Sequence, residues 1–333
     1  MLTKPLGRVV SLGVVVIVLG LGWFLLQAFP LGGSGRDVIV TVHPGDSLAQ
    51  IASELHQKGV ISSPFAFRLD ALVLGDPIVQ PGSYELKQGS SFSAVRSILN
   101  AAPNVRLVDV QPGLSFHEIA VTVAQDTSNA FGDQFLAAAK AAASASAFHP
   151  NGSLEGLVGP GQYLIKPNET PVQLLTAMQH SFDLEASAAG LTPSTTLDGL
   201  NSYQLIIAAS IVQKEGYYAS NMPKVARVIL NRLANGAALQ MDSTVLYYFQ
   251  QDGGTVTHAM LQTPTPYNTY LNAGLTPTPI CTVSSSALAA ILHAPPGPWL
   301  YFTVVDKNGT EAFSTTFAQQ LANEHLAATR GIG

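Results

Sequence analysis

Charged residues are scarce in this sequence. They make up 11% of its 333 residues, and the formal net charge is −5 at pH 7. A nucleic-acid-binding protein needs a basic face to neutralise phosphates, so this composition argues against that class. The length is sufficient for two or three modest domains.

Cysteine is nearly absent as well. Cys281 is the single cysteine, so no internal disulfide can form, and any domain outside the cytoplasm must be stable without one. Its Ser- and Ala-rich surroundings favour a small buried residue over a nucleophile. The eight histidines are spread along the chain, with no pair at the spacing of a metal site. The sequence also lacks a Gly-x-Ser-x-Gly elbow and a phosphate-binding loop. We therefore expect neither a metal nor a cofactor.

One long segment without charge lies near the N-terminus. Residues 9–28 read VVSLGVVVIVLGLGWFLLQA, which is long enough to cross the hydrocarbon core of a bilayer as a helix. Lys4 and Arg8 precede this segment, so the positive-inside rule places residues 1–8 in the cytoplasm. The alternative is a cleavable signal peptide, which the length of the apolar run and the poor cleavage site at residues 26–28 disfavour. We expect a single-pass protein of the cell membrane, with a linker at 29–37 and the remaining chain outside the cytoplasm.

Two segments in the first half of the chain repeat one pattern. VIVTVHPGDSLAQIASEL begins at Val38 and VRLVDVQPGLSFHEIAVTV begins at Val105. Each contains an alternating strand, a Pro-Gly turn, a serine and an amphipathic helix. Residues 38–104 and 105–180 are therefore predicted to be two versions of one strand–helix–helix–strand unit, the second expanded by an Ala/Ser-rich insert at 126–153. The opening of the first resembles LysM-type cell-wall modules. A generic small α+β unit without glycan contacts is the alternative.

A buried helix is predicted from NSYQLIIAASIVQKEG, residues 201–216. Asn201 and Gln204 have the spacing of a capping box, and the apolar run that follows should place the helix in the core. Glu215 lies on the same stripe as Ile211, so it emerges on a packed face. Partial desolvation there would raise its pKa and suit it to act as a general acid. The alternative is a glutamate that extends into solvent where the helix ends.

Residue types typical of a carbohydrate cleft follow this helix. A second helix is predicted from about Pro223 to Ala234, and LQMDSTVLYYF comes after it. The stretch TPYNTYLNAGLTPTPI then forms a loop rich in tyrosines and amides, whose rings and amides can contact sugar faces and hydroxyl groups. A hairpin is predicted from WLYFTVVDKNGTEAF.

Several of these stretches resemble the MltG (YceG-like) family of endolytic murein transglycosylases. They are ASIVQKEG, VARVILNRLANGAALQMDSTVLYY, TPYNTYLNAGL and LYFTV, and they occur in the family's order. The resemblance implies an α+β fold over nearly the whole chain: a transmembrane helix, a LysM-like α+β module, and an α+β catalytic domain at 105–333. It implies Glu215 as the catalytic acid/base. We predict that the residues lining or supporting a glycan cleft are Glu155, Asn231, Arg232, Gln240, Asp242, Ser243, Thr244, Tyr247, Tyr267, Asn268 and Tyr270.

The sequence departs from the family pattern at some positions. Gln213 stands where the family has a glutamate, so Glu215 is the single carboxylate of its helical turn. The aspartate of a family motif that here begins at Glu155 is absent, which puts any role of that aspartate in doubt. Glu311 and Gln320 stand where a histidine is common, which weakens any claim of a histidine partner.

The reaction that the resemblance implies is non-hydrolytic cleavage between N-acetylmuramic acid and N-acetylglucosamine, which leaves 1,6-anhydro ends. Peptidoglycan glycan strands are then the substrate, and peptidoglycan synthases are candidate partners if nascent strands are cut near the membrane. Two alternatives remain. One is a hydrolase in which Asp242 is the second carboxylate. The other is a wall-binding scaffold without catalytic activity.

Overall fold

The computed structural model describes residues 4–32, 35–141, 146–149, 152–216 and 218–332, with side chains from residue 13 onward. The chain divides into two compact units. The N-terminal unit is Met1–Leu107 with Leu164–Glu169, and the C-terminal unit is Val108–Tyr163 with Thr170–Gly333. Both combine helices with small two-stranded sheets, which confirms the predicted α+β class.

The N-terminal unit packs three helices and a two-stranded sheet around one core, beside a long first helix. Its elements are α1 (Lys4–Ala28), β1 (Asp37–Val42), α2 (Leu48–Gln57), α3 (Pro64–Leu74), β2 (Gly82–Lys87) and α4 (Phe92–Leu99). β1 and β2 are antiparallel, in a register that runs from Asp37↔Lys87 to Val42↔Gly82. Alternate strand residues such as Val40 and Tyr84 are fully buried, as the two-residue period of a strand requires.

Within the described part of the chain, no helix combines the length and the hydropathy that a membrane span requires. The side chains of the predicted cytoplasmic tail, and of the first four residues of the predicted anchor, lie outside the described residues. Residues 33–34 of the predicted linker lie outside them too.

The C-terminal unit contains most of the helices. The boundary between the units passes through β3 (Arg106–Val110) and β4 (Gly161–Ile165). The other elements of this unit are α5 (Phe116–Asp126), α6 (Asn129–Ala141), α7 (Pro171–Ala188), β5 (Thr196–Leu197), β6 (Leu200–Asn201), α8 (Ser202–Glu215), α9 (Met222–Ala234), α10 (Asp242–Tyr248), α11 (His258–Gln262), α12 (Ser285–Leu292), β7 (Tyr301–Val304), β8 (Glu311–Ser314) and α13 (Phe317–Thr329). β3 pairs with β4, and the predicted C-terminal hairpin is present as β7 and β8. Of the predicted insert, α6 is described and residues 142–145 and 150–151 are not.

The two halves of the predicted repeat have the same order of elements. Strand, helix, helix, strand and helix follow one another from β1 to α4 and again from β3 to α7. The tyrosine in the second strand makes the same bond in each copy: Tyr84 Oη donates to the Gln80 carbonyl at 2.7 Å, and Tyr163 Oη to the Gly159 carbonyl at 2.6 Å. A shared local hydrogen bond at matching positions supports the repeat. A glycan-binding LysM character for the first copy stays a prediction.

The core of the C-terminal unit is built around α8. Asn201 Oδ1 accepts the Gln204 N–H and Gln204 Oε1 accepts the Asn201 N–H, both at 2.9 Å, so the predicted capping box begins the helix. Every residue from Leu205 to Val212 is buried, as expected of a helix that is apolar on all sides. α9 and α12 pack against α8. Cys281 is fully buried and donates from Sγ to the backbone of α8, which agrees with the prediction of a packed residue.

Candidate active site

The carboxyl group of Glu215 lies at the C-terminal end of α8 and bonds to the start of α10. Its Oε1 accepts the Ser243 hydroxyl at 2.6 Å and the Ser243 backbone N–H at 3.2 Å. Ser243 lies in the first turn of α10, where backbone N–H groups have no partner within the helix and need another acceptor. Glu215 is partly buried. The side chain is therefore held against the protein and does not extend freely into solvent.

The surroundings of Glu215 favour its protonated form. Burial raises the pKa of its carboxyl above the usual range, and the two bonds from Ser243 lower it. The negative charge of Asp242 raises the pKa further, and the positive charge of Lys214 lowers it. Burial is the largest of these causes, so the net direction is upward. A carboxyl in this state can keep a proton at a higher pH than a free glutamate does.

Glu215 lies where two surface grooves of the C-terminal unit meet. One groove has a volume of about 530 Å³ and is lined by residues of the Gln111–Leu114 segment and by Asp252. The other has a volume of about 760 Å³ and is lined by residues of the β7–β8 hairpin and of α13. Glu215 and Asp242 line both grooves. A chain-like ligand can thus extend from the carboxyl of Glu215 in two directions.

A second carboxyl group, that of Glu155, is buried near the first. Its Oε1 accepts the Phe116 N–H at 3.0 Å and its Oε2 accepts the Tyr247 hydroxyl at 2.9 Å. The Glu155 residue is 7% exposed, and burial raises the pKa of its carboxyl to about 7, against the lowering effect of these bonds. It lines a cavity of about 210 Å³ together with Ser243, Tyr247 and Tyr267.

The helix α10 connects the two carboxyl groups. Ser243, which donates to Glu215, and Tyr247, which donates to Glu155, are four residues apart and so lie on one face of the helix. Tyr247 also packs against Tyr267, with ring centroids 5.0 Å apart. The structure thus brings Glu155, Glu215 and Tyr267 into contact with one short helix, which itself carries the predicted residues Asp242, Ser243, Thr244 and Tyr247.

Three more predicted residues line the larger groove: Arg232, Gln240 and Tyr270. Tyr270 Oη donates to Asp242 Oδ1 at 2.6 Å, which orients that carboxylate beside Glu215. Arg232 is buried and donates to backbone carbonyls, including that of Leu300 at 2.6 Å. Its guanidinium therefore holds the wall of the groove together.

The polar groups of Asn231, Thr244 and Asn268 bond inside the protein. Asn231 Nδ2 donates to two backbone carbonyls of the segment before β7. Asn268 Nδ2 donates to the carbonyls of Leu261, near the end of α11, and of Thr263, directly after it. Thr244 is fully buried, and its hydroxyl donates to the Met241 carbonyl. These three residues support the walls of the site, and a direct role for them in glycan binding stays a prediction.

Lys214 and Tyr301 are among the residues of the site that were not selected from the sequence. Lys214 lines the smaller groove, where its Nζ donates to Asp252 Oδ1 at 2.7 Å. Tyr301 lines the larger groove, and its ring lies 4.9 Å from the guanidinium carbon of Arg232. The position of Lys214 directly before Glu215 was a possible signal. Tyr301 is one residue of an ordinary hairpin strand, and nothing in its pattern marked it.

Comparison with known proteins gives concordant matches over most of the chain. The model of the YceG-like family matches residues 40–325. The endolytic murein transglycosylase of Bacillus subtilis is 27% identical over 305 residues, which cover 86% of this chain and 83% of that protein. The protein of the same name from Streptococcus pneumoniae is 24% identical over 317 residues, and the match spans 85% of this chain and 57% of that relative. A crystal structure of a YceG-like protein from Listeria monocytogenes shares the fold, with a TM-score of 0.57 and 24% identity over 87% of this chain and 99% of that one.

Proposed function

Because the chain belongs to the YceG-like family, we propose that it is an endolytic murein transglycosylase, a lyase that cleaves the glycan strands of peptidoglycan. The observation that carries the proposal is the position of Glu215. Its partly buried carboxyl, with a raised pKa, lies where two grooves meet. Grooves on both sides of the acid suit a cut inside a long polymer, since sugar units can be bound on either side of the broken bond.

The proposed reaction uses the same carboxyl group twice. Protonated Glu215 donates its proton to the glycosidic oxygen as the bond from that oxygen to C1 of N-acetylmuramic acid breaks, and the bonding pair leaves with the oxygen. The resulting carboxylate then takes the proton from the C6 hydroxyl of the same sugar, and that oxygen bonds to C1 to close a 1,6-anhydro ring. Glu215 ends the cycle protonated, so no water is consumed.

The contacts of Glu215 fit this cycle. Both donors of Ser243 bond to Oε1, which leaves Oε2 to carry and transfer the proton. Hydrogen bonds from Ser243 stabilise the carboxylate that exists between the two proton transfers. Ordinary glycosidases need a second carboxylate because they activate water or form a covalent intermediate.

A hydrolase is the second candidate, because Asp242 lies beside Glu215 and lines both grooves. In that case one carboxyl would donate a proton while Asp242 activated water. The products differ: the lyase leaves anhydro ends, and the hydrolase leaves reducing ends that are heavier by one water. A scaffold without activity would release no fragments.

Mass spectrometry of fragments released from peptidoglycan by the purified full chain in detergent separates these candidates. We expect 1,6-anhydro ends. The variant Glu215→Gln keeps the size of the side chain and removes the proton, so its rate should fall by at least ~10²-fold, the range of general acid–base catalysis. The variant Glu54→Gln makes the same change on the surface helix α2 and should keep the wild-type rate. A wild-type rate in Glu215→Gln would refute the role of this residue.

We also infer the location of the protein. The apolar run at 9–28 and the preceding Lys4 and Arg8 favour a single-pass anchor in the cytoplasmic membrane, with the N-terminus inside and the C-terminal unit outside. In that position the enzyme can reach nascent strands and act beside peptidoglycan synthases, where cleavage would end strand growth.

A membrane-impermeant thiol reagent applied to intact spheroplasts tests this location. The chain carries the variant Ser187→Cys, at an exposed position of α7, and native Cys281 stays unlabelled because it is fully buried. Labelling of residue 187 before lysis is expected. If residue 187 is labelled only after lysis, the C-terminal unit lies in the cytoplasm and the inferred location is wrong.

A further inference from the structure

A group of large apolar side chains is exposed on the N-terminal unit, along α3 and just after it. Leu72, Val73 and Ile78 are 81%, 83% and 78% exposed, and Phe65 and Leu74 are 62% and 66% exposed. We name these five residues the α3 patch. Single exposed apolar residues are common on protein surfaces, but a group concentrated within fourteen residues of chain marks a surface that binds something.

The α3 patch is held in place by polar contacts behind it. Arg96 of α4 donates from Nη1 to the Gly75 carbonyl at 2.6 Å and from Nη2 to Asp70 Oδ2 at 2.9 Å. Asn100 Oδ1 accepts the Ile78 N–H at 2.8 Å. These bonds fix the backbone on both sides of the glycine turn that ends α3. The apolar side chains are therefore presented outward on a backbone of defined shape.

The end of α1 lies directly beside this patch. The rings of Trp23 and Phe65 have centroids 6.4 Å apart, and Ala28 is 4% exposed within the core of the N-terminal unit. Phe29 and Leu74 line the same cavity of about 310 Å³. The last turn of α1 is thus part of the unit, and the α3 patch continues the apolar surface of α1.

We propose that the α3 patch inserts into the outer interface of the membrane that α1 crosses, so that lipid covers it. The inference rests on the proposed anchor. A tryptophan near the end of a membrane-crossing helix lies at the level of the headgroups. Phe65 contacts Trp23 and must lie at a similar depth, and Leu74 lines a cavity with the residue that follows α1. The N-terminal unit would then be seated on the bilayer by α1 and α3 together, as interfacial segments are.

Depth measurements on the full chain in vesicles of phosphatidylcholine and phosphatidylglycerol test this inference. Four variants each add one cysteine for an environment-sensitive dye: Val73→Cys and Ile78→Cys in the patch, Val18→Cys inside α1, and Ser187→Cys on the C-terminal unit. Cys281 can stay because it is fully buried. Lipids that carry a nitroxide quencher on the acyl chain report contact with the bilayer. None of these positions lies in the proposed catalytic site, so each labelled protein should cleave peptidoglycan at the wild-type rate.

We expect the dye at residues 73 and 78 to emit at shorter wavelength and to be quenched several-fold more strongly than the dye at residue 187. If residue 18 is quenched while residues 73 and 78 behave like residue 187, the anchor stands and the α3 patch does not touch lipid. If residues 73 and 78 are shielded from water without quenching by lipid, a protein surface such as a second copy covers the patch, and the inference is wrong. If residue 18 is not quenched either, the anchor itself fails.

Discussion

The buried carboxyl of Glu155 makes the stability of the C-terminal unit depend on pH. Its pKa is raised from 4.5 to about 7 by burial, so the folded protein holds this proton more tightly than the unfolded chain does. Between these two values the folded state carries one more proton on this group than the unfolded state. The free energy of unfolding must therefore fall as the pH rises from about 4.5 to about 7.

The size of this effect follows from the two pKa values. The interval from 4.5 to about 7, at ~1.4 kcal/mol for each pH unit, corresponds to about 3 kcal/mol. Stability from this group is complete below pH 4.5 and is lost by the time the pH passes 7. Replacing the carboxyl by an amide, which does not titrate, should remove this part of the pH dependence. The variant Glu155→Gln keeps an oxygen that can accept the Phe116 N–H.

Urea unfolding from pH 4.5 to pH 8 can measure this, with fluorescence as the signal. The chain has two tryptophans, so the background Trp23→Phe leaves Trp299 as the reporter of the C-terminal unit. The wild-type background should lose about 3 kcal/mol more than Glu155→Gln over this range. The variant Glu324→Gln makes the same change at an exposed position of α13 and serves as the control.

Equal pH dependence of unfolding in Glu155→Gln and in its background would contradict this reasoning. It would mean that water or a rearranged side chain solvates the Glu155 carboxylate in the folded protein. The comparison between pH values matters more than the stability at one pH. The amide also changes the bond with Tyr247, and that contribution is the same at every pH.

Two further variants test other contacts of the site. Ser243→Ala removes the hydroxyl that lowers the pKa of Glu215. The pH at which kcat declines on the alkaline side should therefore rise by roughly one unit, which is the size of a hydrogen bond to a charged group. If that pH does not change, the Ser243 hydroxyl has no role in setting the pKa of Glu215. Arg232→Lys loses most of the donors to backbone carbonyls around the larger groove. The free energy of unfolding, measured with urea, should fall by roughly 2–4 kcal/mol. Unchanged stability would show that the lysine replaces those bonds.

The helix that carries Glu215 could be predicted because its signals are local. The capping residues Asn201 and Gln204 are three residues apart in sequence, and the apolar run from Leu205 to Val212 avoids water when the helix is buried. The raised pKa of Glu215 follows from the same pattern, since the helix that carries it is buried. What the pattern could not supply was the partner, because Ser243 lies 28 residues away.

The burial and the raised pKa of Glu155 could not be predicted for a similar reason. Its partner Tyr247 is 92 residues away in the chain, and burial of a carboxyl is a property of the packed unit. Asn268 shows the opposite difficulty. An amide suits a sugar hydroxyl and a backbone carbonyl equally well, and the structure uses this amide for carbonyls. Residue type alone therefore selected residues that gather around the two grooves, without separating those that face a groove from those that build its wall.

The position of α10 connects the buried carboxyl of Glu155 to the proposed chemistry of Glu215. A helix of seven residues is too short to be stable alone, so its place depends on the contacts that it makes. Loosening the Tyr247 contact in Glu155→Gln should let Ser243 move and so change the same high-pH decline of kcat that Ser243→Ala changes. If both act through one helix, the double variant should shift the decline by less than the sum of the two single shifts. Additive shifts would show instead that Glu155→Gln and Ser243→Ala act on kcat independently.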